Sequence, residues 1–307
     1  MKNHRKNSSY MLSAKFRSAI PLSILLLGII LLSPACYEAR EGCLDVNAVN
    51  YALDTDRECA DCCEYPVLSL RFVSVWEDQD TSFTFRYASD GFHDGKGQPF
   101  LIDRITYYIQ DVALVANAGA LHYTSDSVEV QKLTDSGTYE EVYIRDDYLL
   151  LNPALNTALE VGTLLRNGTF THLRFQVGLD VETDDILPGS LPTNHPLSLL
   201  DTSMYNLNDE RYLSNRMDLM RDTAATASSL LLSYGTEQQP LEISLEIPGS
   251  FALPPGLDLE ITLQVNYAKW FEQISDIRVD SEAELLDKIV AGLSNSFTFL
   301  EISADER

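Results

Sequence analysis

A chain of 307 residues, 45% apolar and 22% charged, is long enough for one large or two modest domains and too apolar for a wholly disordered protein. Its 46 acidic residues against 22 basic ones, a formal charge of −24, exclude the phosphate-neutralising surface that nucleic-acid binding needs. All 46 acids follow residue 35, so residues 36–307, with 17 basic groups, balance at −29.

At the start of the chain, Lys2, Arg5, Lys6, Lys15 and Arg17 precede an apolar run from Ile20 to Leu32. That is the form of a signal peptide, and the run is short for a bilayer span. The segment ends Leu32-Ser33-Pro34-Ala35-Cys36, which resembles a bacterial lipobox, although Ser33 stands where Leu is usual. Residues 1–35 are therefore expected to be a cleaved lipoprotein signal peptide, with the membrane held through a lipid anchor on Cys36. An uncleaved anchor, or plain secretion, is the competing reading. No later run approaches ~18 consecutive apolar residues, so the lipid would be the membrane attachment. The expected location is the cell envelope, as an outer membrane lipoprotein.

The five cysteines all lie between residues 36 and 63. Setting Cys36 aside for lipid leaves Cys43, Cys59, Cys62 and Cys63, enough for two disulfides in any of three pairings. A bond between vicinal Cys62 and Cys63 is disfavoured by ring strain. The spacing lacks the two CxxC knuckles of a zinc ribbon, so disulfides are preferred over a four-thiolate metal site. Gly42-Cys43-Leu44-Asp45 through Asn47 and Asn50-Tyr51 to Cys62-Cys63-Glu64-Tyr65 resembles a short cysteine module repeated in exported bacterial surface proteins. About 25 residues bury too little to hold themselves together, so cross-links take the place of a core. The acids and amides of the module are read as turn formers rather than calcium ligands. Residues 36–66 thus form a lipid anchor and cysteine-rich module ahead of a body at 67–307.

In the body, period-two alternation dominates. Leu68, Leu70 and Phe72; Leu173, Phe175, Val177 and Leu179; Leu241, Ile243, Leu245 and Ile247; and Leu257 to Val265 each alternate with polar residues. Each such segment has one dry and one wet face, the signature of antiparallel sheets packed as a sandwich rather than of buried parallel strands. Phe83–Tyr87, Ile102–Val115, Val128–Leu133, Glu141–Ile144, Tyr148–Leu151 and Phe297–Ile302 are further strand candidates. Ser281 and Glu284 form a capping box before Leu285, Leu286, Ile289, Val290 and Leu293, which predicts a helix. Asn208–Asp222 and Pro153–Leu159 are weaker helix candidates, and 181–207 reads as a long loop. The fold expected is mainly β, an antiparallel β-sandwich-like domain with one or two short helices, preceded by a small disulfide-stapled module.

Several landmarks of the body fall in a recognisable order: Leu70-Arg71-Phe72, the run Phe100 to Leu114 with Tyr107-Tyr108-Ile109, Gly168-Thr169-Phe170 leading to Phe175-Gln176-Val177-Gly178-Leu179-Asp180, then Asn194-His195-Pro196-Leu197 and Met204-Tyr205. In these the body resembles the MbnP-like family of exported bacterial lipoproteins and periplasmic proteins, over about residues 67–280. The resemblance implies a β-rich exported domain, copper as the associated metal, and often a MauG-type di-haem protein as partner. Tyr205-Asn206-Leu207-Asn208 stands where the family commonly has a Trp-containing stretch, and Leu232-Ser233-Tyr234-Gly235 where it has a histidine. Copper binding is therefore not carried over residue by residue.

After the signal segment only His93, His122, His172 and His195 occur, no two of them close in sequence, so an imidazole site must be assembled from distant segments. His195, in the long loop with Asp184, Asp185 and Asp201, is the first candidate metal ligand, set against a plain exposed loop histidine. His93 beside Asp94 and the thioether of Met204 are the others. Nucleophile elbow, P-loop, HExxH and GxGxxG patterns are absent, so no catalytic residues and no enzyme are expected. Asp146-Asp147 and Asp184-Asp185 are read as surface charge. Tyr107-Tyr108 with Trp76 or Trp270 is weighed as a sugar-binding platform. The preferred function is metal-related binding, or partnership with a haem enzyme. A cell-surface glycan- or protein-binding module without metal is the alternative.

Overall fold

The structure is a computed structural model that describes residues 38–87, 91–199, 201–224 and 229–306. The expected signal peptide and Cys36 lie outside these residues.

In the cysteine module two short strands, β1 (Glu41–Gly42) and β2 (Arg57–Glu58), pair in parallel. Cys43 is bonded to Cys63 and Cys59 to Cys62. The carboxylate of Asp45 accepts from the Asn47 backbone N–H at 2.9 Å and from the Tyr65 hydroxyl at 2.9 Å. Asn50 accepts from Glu64 N–H and donates to the Cys62 carbonyl. These polar groups shape the turns, as their residue types predict.

Beyond the module come β3 (Val67–Glu77), β4 (Ser82–Thr84), β5 (Leu101–Ala116), β6 (Leu121–Tyr123), β7 (Ser127–Leu133), β8 (Tyr139–Arg145), β9 (Leu149–Leu151), β10 (Leu159–Thr163) and β11 (Gly168–Val177). The long loop follows, carrying three 3-10 turns, and then β12 (Tyr205–Asn206), β13 (Arg211–Met220), β14 (Ser229–Gly235), β15 (Leu241–Leu253) and β16 (Asp258–Asn266). Helices α1 (Ala268–Phe271) and α2 (Glu282–Leu293) precede the last strand, β17 (Phe297–Asp305).

One sheet has the order β10-β3-β16-β17, with β4 beside β3; the other has β12-β13-β5-β11-β15, with β14 beside β13 and with β6 and β9 beside β5. Leu68, Leu70 and Phe72 from the first sheet and Ile105, Phe175 and Met217 from the second join one hydrophobic core. This is the expected sandwich. One pairing departs from the antiparallel expectation: β16 runs parallel to β3, Leu259 opposite Leu68 through Asn266 opposite Val75. α2 begins in the expected capping box at Ser281 and Glu284 and closes one side of the core with Leu285, Ile289 and Leu293.

A second apolar cluster covers the outer face of the larger sheet. Tyr108, Leu179, Ile186, Leu197, Met204 and Tyr212 meet Val128 and Val130 of the β7–β8 hairpin there. β5 is consequently buried on both faces: Tyr107 enters the main core, while its neighbour Tyr108 points the other way.

Two helix expectations fail. Asn208–Asp222 contains strand β13, paired with β5 on one side and β14 on the other. A register shift between Leu213 and Asn215 leaves Ser214 and Asn215 buried side by side and breaks the period-two pattern. Pro153–Leu159 is a turn, with Leu155 N–H and Ala154 N–H bonded to the Asn152 carbonyl and side chain, and Leu159 already begins β10.

Candidate functional site

The long loop between β11 and β12 is ordered by the sheet beneath it. Asn194-His195-Pro196-Leu197 is a tight turn in which His195 N–H bonds the Pro192 carbonyl and Ser198 N–H bonds the His195 carbonyl, each at 2.9 Å. Two tyrosines from the sheet fasten it: Tyr108 donates to the Pro196 carbonyl at 3.2 Å, and Tyr212 to the Leu197 carbonyl at 2.7 Å. Burial pushes both hydroxyls well above the ordinary tyrosine range, so they stay protonated donors.

His195 is thereby buried, with 5% of its surface exposed. The expectation of a plain exposed loop histidine is wrong, because the turn folds the ring inward against Tyr148, at a centroid distance of 5.9 Å. Its Nδ1 accepts the Leu197 N–H at 3.1 Å, which places the proton of the neutral ring on Nε2. Asp146 Oδ1 lies 3.0 Å from Nε2. The carboxylate sits off the N–H direction, so among the described residues Nε2 has a close charge but no aligned hydrogen-bond partner.

The pair opens on a cleft of about 620 Å³. Leu149, Leu159, Val161 and Pro192 give it apolar walls, and Asp126, Glu160 and Asn194 add polar groups. Asp126 is committed in part, its Oδ2 accepting from Thr163 N–H at 2.9 Å. Next to Asp146 in the chain, Asp147 is buried and held by Arg145 at 3.3 Å, while the same guanidinium reaches Asp111 at 2.6 Å and lies over the Tyr123 ring. Burial raises the Asp147 carboxyl above its ordinary value, and the Arg145 charge opposes that shift. Burial likewise raises Tyr148, helped by the carboxylates of Asp180 and Asp147.

The predicted residues are not brought to one point. Among the described residues His195 is paired with Asp146 and not with Asp184, Asp185 or Asp201. Asp184 instead accepts from Tyr212 N–H and from the Thr236 hydroxyl, and Asp201 caps a 3-10 turn through Ser203 N–H. His93 is exposed, its Nδ1 3.1 Å from the Gly91 carbonyl, and Asp94 beside it is a buried turn former accepting from Gln98 and Ile277 N–H groups. Met204 is packed in the apolar cluster with Tyr108, Leu197 and Tyr212. The pairs read as surface charge are each partly internal, since Asp147 and Asp184 turn inward. Tyr107, Tyr108, Trp76 and Trp270 are all buried, so they form no sugar platform.

Among the described residues no group of three or more histidine, cysteine, aspartate or glutamate side chains is placed to hold a metal ion. At Nε2 the cleft brings together one imidazole nitrogen and one carboxylate oxygen, a borderline-to-hard pair without the soft ligand that Cu(I) prefers. A Cu(I) site therefore does not fit these residues, whereas a nitrogen and oxygen donor pair is of the kind that Cu(II) accepts. Asp146 is the neighbour of His195 that no local spacing in the sequence predicts, since only long-range pairing brings it to the loop.

These features define a mainly β sandwich with a carboxylate-rich cleft around one buried histidine. A model of the MbnP family matches residues 65–287, and the chain belongs to that family. Among solved structures, the chain is similar to MbnP from Methylosinus trichosporium, with 12% identity over 78% of this chain and 98% of that one, at a TM-score of 0.40. No curated protein matches the chain.

Proposed function

We propose that this MbnP-family chain is a non-enzymatic binding domain of the cell envelope, lipid-anchored at Cys36, whose His195 cleft binds a metal ion, copper being the one the family suggests. The observation that carries this reading is the buried Nε2 of His195, 3.0 Å from Asp146 and, among the described residues, without an aligned hydrogen-bond partner. A buried polar atom without a partner is costly, and a cation that displaces its proton would give Nε2 and Asp146 a shared ligand. With two protein donors, most coordination positions stay open to water or a second molecule, which suits exchange better than storage. A MauG-type di-haem protein is the partner this reading expects.

Titration of the full chain with Cu(II) tests it. The expected result is one equivalent bound with an electron-spin signature of a single nitrogen ligand, weakened at least tenfold in His195→Ala and unchanged in His93→Ala. Absence of stoichiometric binding, or binding indifferent to His195, would remove the metal role. Loss of the Cys36 lipid mass in Cys36→Ser, with release from the membrane fraction, checks the anchor.

A further inference from the structure

The β7–β8 hairpin forms a two-stranded sheet of its own with two unlike faces. Val128 and Val130 are buried on the inner face, with Val142 and Ile144 packed beside them. On the outer face Tyr139, Glu141 and Tyr143 take alternate positions along β8, opposite Leu133, Gln131 and Glu129 on β7. Tyr139 is 49% exposed and Tyr143 71%. The ring of Tyr143 is tied down, because its hydroxyl donates to Glu129 Oε2 at 3.2 Å.

Four residues of extended chain set the two rings about 14 Å apart on one side of the strand. The whole face is about 24 Å long and about 10 Å wide, from a ~3.4 Å rise and a ~4.8 Å strand spacing. That ribbon of roughly 240 Å² is far below the ~800 Å² each partner buries in a stable protein complex. It matches a single linear chain instead. Aromatic faces stack on the apolar faces of sugar rings, while Gln131 and Glu141 between them offer an amide and a carboxylate to hydroxyl groups. The carboxylates of Glu129 and Glu141, on a chain of charge −24, repel anionic polymers.

We infer that the outer face of this hairpin binds a neutral oligosaccharide chain, laid along β8 across Tyr139 and Tyr143. The site is separate from the His195 cleft and stands whether or not that cleft binds metal. The test is calorimetric titration of the full chain, in detergent, with cellohexaose, chitohexaose and maltohexaose, and with octa-arginine as the cationic comparison. At least one neutral hexasaccharide is expected to bind, with a tenfold or greater loss in Tyr139→Ala and in Tyr143→Ala. Tyr143→Phe, which keeps the ring, should lose less than threefold, and His93→Ala, at an exposed residue elsewhere, nothing. Both tyrosines are surface residues, and an unchanged circular dichroism spectrum confirms that the variants are folded. The inference is overturned if none of the three sugars binds, if binding survives the double alanine variant, or if only octa-arginine binds through these tyrosines.

Discussion

Asp146 and Asp147 are neighbours with opposite duties, one facing His195 at the cleft and the other buried against Arg145. The buried carboxyl titrates above its ordinary value chiefly because burial penalises its charge. The stability it contributes is thus fully present below the unfolded value of 3.8 and lost as pH rises through the folded value. Arg145 limits that loss, so Arg145→Met should destabilise the fold by about 2–3 kcal/mol at neutral pH, under the usual figure for a broken buried pair because Arg145 is itself partly exposed. The penalty should shrink in acid as Asp147 takes up a proton. Urea unfolding of Arg145→Met at pH 7 and pH 4 reads this directly, and an equal loss at both values would mean the pair does not act through charge. Met204 offers a sharper residue-level contrast with His195. Its thioether is 1% exposed among aromatic and aliphatic side chains. Met204→Leu conserves volume, so it should cost under ~1.5 kcal/mol and leave Cu(II) affinity within about threefold. A tenfold loss on titration would place sulfur in the site. The landmark around His195 was visible in the sequence, but its partner was not, because no local spacing connects residue 146 to a loop that the tyrosines of two other strands pull inward.

Among the elements, legibility followed solvent. β3, β11, β15 and β16 have a wet side, and their alternation could be read directly. β13 lies between β5 and β14 with Tyr212, Ser214, Asn215, Met217 and Leu219 all buried, and its register shifts between Leu213 and Asn215. That bulge spaces its apolar residues irregularly enough to resemble a helix. β10 and β14 were missed because each takes its place from a partner strand rather than from its own pattern. α2 was legible because its start is local chemistry, the capping box of Ser281 and Glu284. What fixes where α2 lies is less visible: a Cβ added to Gly292 would sit 2.2 Å from the Lys269 carbonyl oxygen of α1. Gly292→Ala should therefore push the helices apart and cost about 1–3 kcal/mol, although alanine is the better helix former. Ser281→Ala, which only opens the capping box, should cost about 1 kcal/mol. Thermal unfolding of the two variants separates close approach from capping, and a neutral Gly292→Ala would show that α2 is free to shift.

At the scale of the whole molecule, acidity and the cysteine module act on different parts. The excess of acids repels anionic surfaces but chooses no fold, and no helix among the described residues is long and apolar enough to cross a membrane. The module leans on the turn between β15 and β16, where a Cβ on Gly256 would meet the Ala48 carbonyl at 2.9 Å; the φ of +72° there also favours glycine. None of the module's described residues belongs to the main core. The Cys43–Cys63 bond, with a sequence separation of 20, should therefore stabilise the module by about 3 kcal/mol through the entropy of its open chain, and the sandwich hardly at all. In the paired Cys43→Ser, Cys63→Ser variant, cleavage within 44–62 by a broad protease should accelerate strongly, while the melting temperature of the body moves by under about 3 °C. Unfolding of module and body in one transition, lowered together by the substitution, would instead make the staple part of the sandwich's own stability.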